Sequence, residues 1–298
     1  MVSEEALKKE IIKLVSAAAI HLPSDVEEAL REAYEKEENP IARKVFKSIL
    51  ENVRVAEEEG RPLCQDTGII IYYIKVGENF PLLGKIPKII KDATIEATSS
   101  TPLRPNAVDI ITGENTGNNM GERIPWIEWE IIPDSDEAEI TVMLKGGGSE
   151  NPSLAKTIPP GLGIEGALKI VIDTIFEAGA KPCPPLIVGV GLGPTGDIAM
   201  NLAKKALFRP IGDKHRRPEV AELENKLLRA INTLGWGPHG VGGYTTALDA
   251  HIEVAHRHPA TLAVGVATNC WASRTSTLRV IGERVKFLTH KFLNRRRE

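Results

Sequence analysis

Polar and apolar positions alternate with a helical period over the first sixty residues. Leu7, Ile11, Val15 and Ala18 form one apolar stripe behind Ser3, whose hydroxyl caps a helix that opens with Glu4 and Glu5. Ser24 and Glu27 make a capping box ahead of Val26, Leu30 and Tyr34. Asn39 and Pro40 set up a third start, leading to Ile41, Val45, Ile49 and Val53. Each helix has one polar face, which predicts packing and assigns no chemistry.

After Gly68 the period changes. Residues 69–76 form a continuous β-rich run that reads as a buried strand, and residues 86–97 return to helical spacing. Strands are predicted over 126–132, 139–144, 186–190, 249–254 and 262–267, and helices over 163–178, 197–208 and 218–234. The fold class is α+β (mixed α/β). It is expected as one domain over 1–298, with a helical part at 1–60 and a second part at 61–290 that carries the loops described next.

Loops between these elements carry the unusual residues. Pro102 and Pro105 bracket Arg104, and a polar, glycine-rich loop at 113–119 is either a mobile segment or one that closes over a ligand. Gly146, Gly147 and Gly148 follow a strand, where consecutive glycines form either a flexible turn or a close backbone approach with amide donors turned towards an anion. Gly191-Leu-Gly193-Pro-Thr-Gly196 matches a dinucleotide-binding pattern, with Asp213 at the distance of a ribose ligand. Pro194 removes an amide donor there, no second strand leads up to Asp213, and the βαβ context is missing from the pattern.

Composition narrows the class. An apolar fraction of 42% and a net charge of −3 suit a globular protein and give no reason to expect nucleic acid. Arg295-Arg296-Arg297 reads as a solvated tail. No apolar run approaches a membrane span, and the acidic start at Met1-Val2-Ser3-Glu4-Glu5 is no signal peptide, so a cytoplasmic location is expected.

The stretch Leu63-Cys64-Gln65-Asp66-Thr67-Gly68 concentrates a thiol, an amide, a carboxylate and a hydroxyl, and Gln65 is the only glutamine in the chain. Cys64, Cys183 and Cys270 are far apart, without any Cys-x-x-Cys. Spacing alone reads as scattered buried thiols, but all three fall at loop positions among proline or polar residues. Three such thiolates are able to hold a [4Fe–4S] cluster through three of its irons, or a zinc ion. An open fourth iron suits Lewis-acid chemistry. Arg104 for a carboxylate, Gln65 for hydrogen bonding, the glycine amides and Asp66 as acid or base suit elimination of water beside a carboxylate.

Five ordered motifs extend this. They are Cys64-Gln-Asp-Thr-Gly, Lys145-Gly-Gly-Gly-Ser-Glu-Asn, Cys183-Pro-Pro-Leu-Ile-Val-Gly-Val-Gly, Pro238-His239-Gly240, and Arg257-His258-Pro259 followed by Asn269-Cys270-Trp271. Together they resemble the α component of the class I, iron–sulfur-dependent fumarases, over nearly the whole chain. The same superfamily includes the α subunit of L(+)-tartrate dehydratase. Gly148-Ser-Glu-Asn151 and Gly193-Pro-Thr-Gly-Asp197 look like the fumarase branch, which favours reversible hydration of fumarate to (S)-malate, a tricarboxylic acid cycle step, over tartrate dehydration.

The resemblance implies a [4Fe–4S] cluster on Cys64, Cys183 and Cys270 with one open iron. It implies substrate contacts from Gln65, Arg104, Gly147 and His258, the last reaching across a dimer interface, and proton transfer by Asp66. Single-chain members continue into a second domain, whereas this chain ends at Glu298. A separate β subunit is therefore expected to complete the pocket for a dicarboxylate, in an α2β2 assembly or with an α–α dimer.

Overall fold

The computed structural model of the chain describes residues 2–297, and its first helix begins at the predicted cap. Ser3 accepts the N–H of Ala6 at 3.1 Å ahead of α1 (Glu4–Ile20). After α2 (Ser24–Lys36), Asn39 Oδ1 accepts the N–H groups of Ile41 at 2.9 Å and Ala42 at 3.3 Å, opening α3 (Pro40–Glu59). The chain continues through β1 (Ile69–Gly77), α4 (Ile86–Ser100), β2 (Trp126–Ile132) and β3 (Ala138–Lys145). A single turn, α5 (Gly147–Glu150), precedes β4 (Leu154–Ile158), α6 (Gly163–Ala178), β5 (Leu186–Gly193), α7 (Gly196–Ala206) and α8 (Pro218–Asn232). Last come β6 (Ala247–Val254), β7 (Leu262–Asn269), β8 (Thr275–Ile281) and β9 (Arg284–Phe287). Every predicted element is present, and the class is mixed α+β. The side chains of Arg295, Arg296 and Arg297, expected as a solvated tail, lie outside the described residues. Among the described residues, no helix is long and apolar enough to cross a membrane.

The chain divides into two compact units and changes unit at four places: at the start of α2, inside α3, ahead of α5 and ahead of β8. The first comprises Met1–Ser24, Asn52–Gly146 and Arg274–Glu298. Its sheet runs β2-β1-β3-β8-β9, with only β1 and β2 parallel, as the crossover through α4 requires. Ile70, Tyr72, Ile74 and Val76 of β1 alternate onto one face with Ile140 and Val142 of β3. They share a core with Leu7, Ile11 and Leu14 of α1 and Ile86 and Ile90 of α4. Each such side chain, fully buried, contributes about 1.5–3 kcal/mol.

The second unit comprises Asp25–Glu51 and Gly147–Ser273, around a sheet ordered β4-β7-β5-β6. Here β5 and β6 are parallel, with α7 and α8 between them in sequence. The βαβ context judged missing from the sequence is therefore present. Its glycines have a packing role, however. A Cβ on Gly189 would lie 2.1 Å from the Ala203 carbonyl oxygen, and one on Gly191 1.9 Å from that of Ala199. On β7, a Cβ on Gly265 would lie 2.3 Å from the same Ala199 oxygen. The three glycines let α7 lie directly on the sheet, and β5 runs on through Gly193 where a loop was expected.

Candidate active site

The Cys64–Gly68 loop in the first unit is pinned at both ends. Leu63 donates its N–H to Ala19 O at 2.9 Å, and its carbonyl accepts Asn52 Nδ2 at 3.0 Å. At the other end Gly68 adopts φ +75°, and a Cβ there would meet the Lys145 carbonyl group at 2.3 Å. Only glycine fits both demands. Between these anchors Cys64 and Asp66 are partly exposed and Gln65 is exposed, with Cys64 Sγ 3.8 Å from Gln65 Oε1.

Asp66 sits among donors. Its Oδ1 accepts the Gly68 N–H at 2.8 Å and Asn106 Nδ2 at 2.7 Å. Arg274, 3% exposed, donates through Nη1 to the Asp66 carbonyl oxygen. A Cβ on Gly146 would lie 2.9 Å from Arg274 Nη2 and 3.1 Å from Asp66 Oδ2, so the bare glycine leaves these two groups facing one small space. Asn106 and Arg274 were missed in the sequence; the signals were their places two residues after Arg104 and four after Cys270.

Arg104 is exposed and, among the described residues, its guanidinium makes no hydrogen bond or ion pair. Its backbone is held by Asn119, whose Nδ2 donates to Arg104 O at 3.3 Å and whose Oδ1 accepts the Asn106 N–H at 2.7 Å. Asn119 is buried at φ 59°. The 113–119 loop braces the Arg104–Asn106 segment, with Asn115 Nδ2 also donating to Pro105 O at 2.9 Å.

In the second unit the antiparallel β5–β7 ladder brings two cysteines together. Ile187 pairs with Asn269, so Cys183, just before β5, and Cys270, just after β7, lie at the same end. Trp271 N–H donates to Cys183 O at 3.3 Å and Cys183 N–H to Ala180 O at 3.0 Å. Cys183 adopts φ 53°, a left-handed conformation that is unfavourable for a residue with a side chain, ahead of the cis Pro184–Pro185 bond. His239 N–H donates to Pro184 O at 2.8 Å, and partial desolvation pushes the His239 ring below its ordinary value, although the side chain is exposed.

The chemistry of this donor set suits an iron–sulfur cluster. All three cysteines are outside disulfides and within loops; Cys183 is exposed, Cys64 and Cys270 partly so. Among the described residues, no three His, Cys, Asp or Glu side chains are grouped as ligands of one ion. A cluster differs in that each thiolate binds a separate iron.

Gly147 and His258, the other expected contacts, belong to the second unit. Gly147 is exposed at the start of α5. The glycine run is thus partly a helical turn, tied down by Thr268 Oγ1 donating to Ser149 O at 2.9 Å and by Lys204 pairing with Glu150 at 2.7 Å. His258 is exposed, and its Nδ1 accepts the Ala260 N–H at 3.1 Å. Arg257 braces that loop through the carbonyls of His258, Pro259 and Thr261.

Asp213 pairs with Arg209 at 3.1 Å, on the rim of a cleft of about 610 Å³ beside His215, Arg216 and His256. The loop is held by Asp249. Burial would raise this carboxyl, but His251, the Gly212 N–H and Lys214 outweigh it and hold the group well below the carboxylate range.

Residues 8–279 match the family model described as Fumarate hydratase (Fumerase). A protein of Methanocaldococcus jannaschii, provisionally named L(+)-tartrate dehydratase subunit alpha, is 48% identical over 273 residues, covering 91% of this chain and 96% of the relative. The L(+)-tartrate dehydratase subunit alpha of Escherichia coli strain K12 is 41% identical over 287 residues, covering 94% and 95%. The Shigella boydii protein of that name matches to the same extent. With its cysteine motifs in place across the matched span, the chain belongs to the fumarate hydratase family of iron–sulfur hydro-lyases.

Proposed function

We propose that the chain is the α subunit of a two-subunit hydro-lyase of the L(+)-tartrate dehydratase type, acting on a 2-hydroxydicarboxylate. The observation that carries this reading is identity of 41–48% with tartrate dehydratase alpha subunits across more than nine-tenths of both chains. It displaces the fumarate preference drawn from residues 148–151 and 193–197. Those segments have local structural duties: Glu150 pairs with Lys204, and Asp197 lies in the first turn of α7. Fumarate remains the second reading, supported by the description of the family model.

Cys64, Cys183 and Cys270 are the residues that would hold a [4Fe–4S] cluster, leaving one iron without a cysteine. Bound there, the cluster supplies a Lewis acid that polarises the substrate hydroxyl. The remaining work falls to this chain's side chains. Arg104 offers an unengaged guanidinium to a substrate carboxylate. Gln65, the Gly147 amide and His258 orient the substrate by hydrogen bonds. Dehydration breaks one C–H and one C–O bond and releases water. Asp66 carries the transferred proton, its orientation set by Gly68 and Asn106. The name of the relatives, subunit alpha, supports a separate β subunit that completes the pocket.

The test is anaerobic reconstitution of the chain with iron and sulfide, addition of the β chain, and assay of both substrates. Preferential turnover of L(+)-tartrate, at least tenfold in kcat/KM over hydration of fumarate, is expected. The reverse preference would establish the fumarate reading, and full turnover by the α chain alone would refute the two-subunit reading.

A further inference from the structure

Asp66 is held by a part of the chain that neither its motif nor the family match assigns to the reaction. Asn106 Nδ2 reaches Asp66 Oδ1 at 2.7 Å, and the Gly68 N–H reaches the same oxygen at 2.8 Å. Two donors converging on one oxygen fix the plane of the carboxylate and direct Oδ2 towards the space over Gly146, which Arg274 Nη2 also faces. The other end of Asn106 is equally constrained. Its N–H donates to Asn119 Oδ1 at 2.7 Å, and Asn119 Nδ2 donates to Arg104 O and to Thr98 Oγ1, at 3.3 and 3.2 Å. Thr98 Oγ1 lies on α4 and itself donates to Thr94 O at 2.8 Å. A continuous chain of hydrogen bonds thus runs from the core of the first unit through Asn119 and Asn106 to the carboxylate.

We propose that Asn106 is the positioning residue for Asp66, presenting Oδ2 as the oxygen that exchanges the proton, with Asn119 as the clamp that holds Asn106 in register with Arg104. This inference rests on the reading of Asp66 as the proton-transfer residue. The side-chain amide is suited to the task because it donates to the carboxylate without bringing a charge of its own. A displacement of about 1 Å at a reacting group costs on the order of 100-fold in rate. Loss of the Asn106 contact should therefore act on turnover and leave carboxylate binding by Arg104 largely alone.

The experiment compares Asp66→Asn, Asn106→Ala, Asn106→Asp and Asn119→Ala in the reconstituted enzyme with its β chain, normalising activity to iron content and recording Tm. Asn106→Ala is expected to lower kcat 10- to 100-fold with KM within about twofold. A crystal structure of that variant chain should show the Asp66 carboxylate rotated or divided between rotamers. Asn119→Ala is expected to raise KM as well, because Arg104 loses its support. Asn106→Asp preserves shape but places a second carboxyl against Oδ1. Protonated, that group still donates; ionised, it repels, so kcat should show a new loss on the alkaline side.

Unchanged kcat and pH profile in the Asn106 variants, with Asp66→Asn inactive, would overturn the inference alone. So would a loss of activity that follows iron content and Tm, with the Asp66 side chain unmoved. An active Asp66→Asn enzyme would instead remove the reading on which it rests.

Discussion

The backbone N–H of Trp271 donates to the carbonyl oxygen of Cys183 at 3.3 Å, fastening the two cysteine loops of the second unit to each other. Because Ile187 and Asn269 are register partners in β5 and β7, this contact is where the ladder ends. The strands thus fix where Cys183 and Cys270 emerge, and the loops have little freedom beyond that.

Cys183 stands at φ 53° within this arrangement. The left-handed conformation costs a residue with a Cβ about 1–2 kcal/mol. Glycine would remove that cost but add about 0.5–1 kcal/mol of chain entropy. Cys183→Gly should therefore leave the cluster-free chain folded, with Tm changed by less than about 4 °C, while abolishing stable iron uptake. Thermal melting, and iron and sulfide analysis after anaerobic reconstitution, check both halves. Full iron retention would show that Cys183 is not a cluster ligand.

Gly68 offers a stability contrast. A Cβ there would meet the Lys145 carbonyl group at 2.3 Å, at φ +75°. Gly60 has a similar φ of +64°, but a Cβ there would have nothing within 4 Å. Both alanine variants incur conformational strain of about 1–2 kcal/mol, but Gly68→Ala must also push a backbone aside, bringing its cost to at least about 3 kcal/mol. Urea unfolding of the two variants should separate them by the difference, at least about 1–2 kcal/mol. Equal destabilisation would mean that the Lys145 contact relaxes freely.

How far the sequence could be read depended on whether a signal was local. The helix starts at Ser3 and Asn39 were legible because cap, first turn and apolar period lie within a few residues of one another. β8 was not legible, because its buried face is partly polar. Ser276 is fully buried against His290 Nδ1 at 2.8 Å, and Thr277 bonds Thr141 on the neighbouring strand at 2.9 Å. β4 was missed because Ala155, Lys156 and Thr157 are exposed, so no apolar alternation marks it.

The candidate site divides the same way. Three cysteines in loops announce themselves by residue type. Asn106 and Arg274 do not, because each meets Asp66 across 40 and 208 residues of chain. The glycines of residues 191–196 carried a misleading local signal. Their spacing fits a phosphate loop, but Gly191, with Gly189 before the pattern, is needed for the approach of α7 to β5.

His290 makes stability dependent on pH. The ring is 3% exposed, its Nδ1 contacts Ser276 Oγ at 2.8 Å, and its Nε2 has no hydrogen-bond partner among the described residues. Burial first, and then neighbouring His21, push it from the ordinary 6.5 down to about 4. Between those values the unfolded chain binds a proton at this position and the folded chain does not, so stability rises with pH across the window. It is fully present above about pH 6.5 and is lost as pH falls towards about 4, by up to about 3 kcal/mol. His290→Gln retains hydrogen-bonding capacity without the titration. Urea unfolding at several pH values between 4 and 7 should give a shallower dependence for this variant, the two slopes differing by up to about 1.4 kcal/mol per pH unit. Parallel curves would show that the ring is protonated in the fold, with a partner for Nε2.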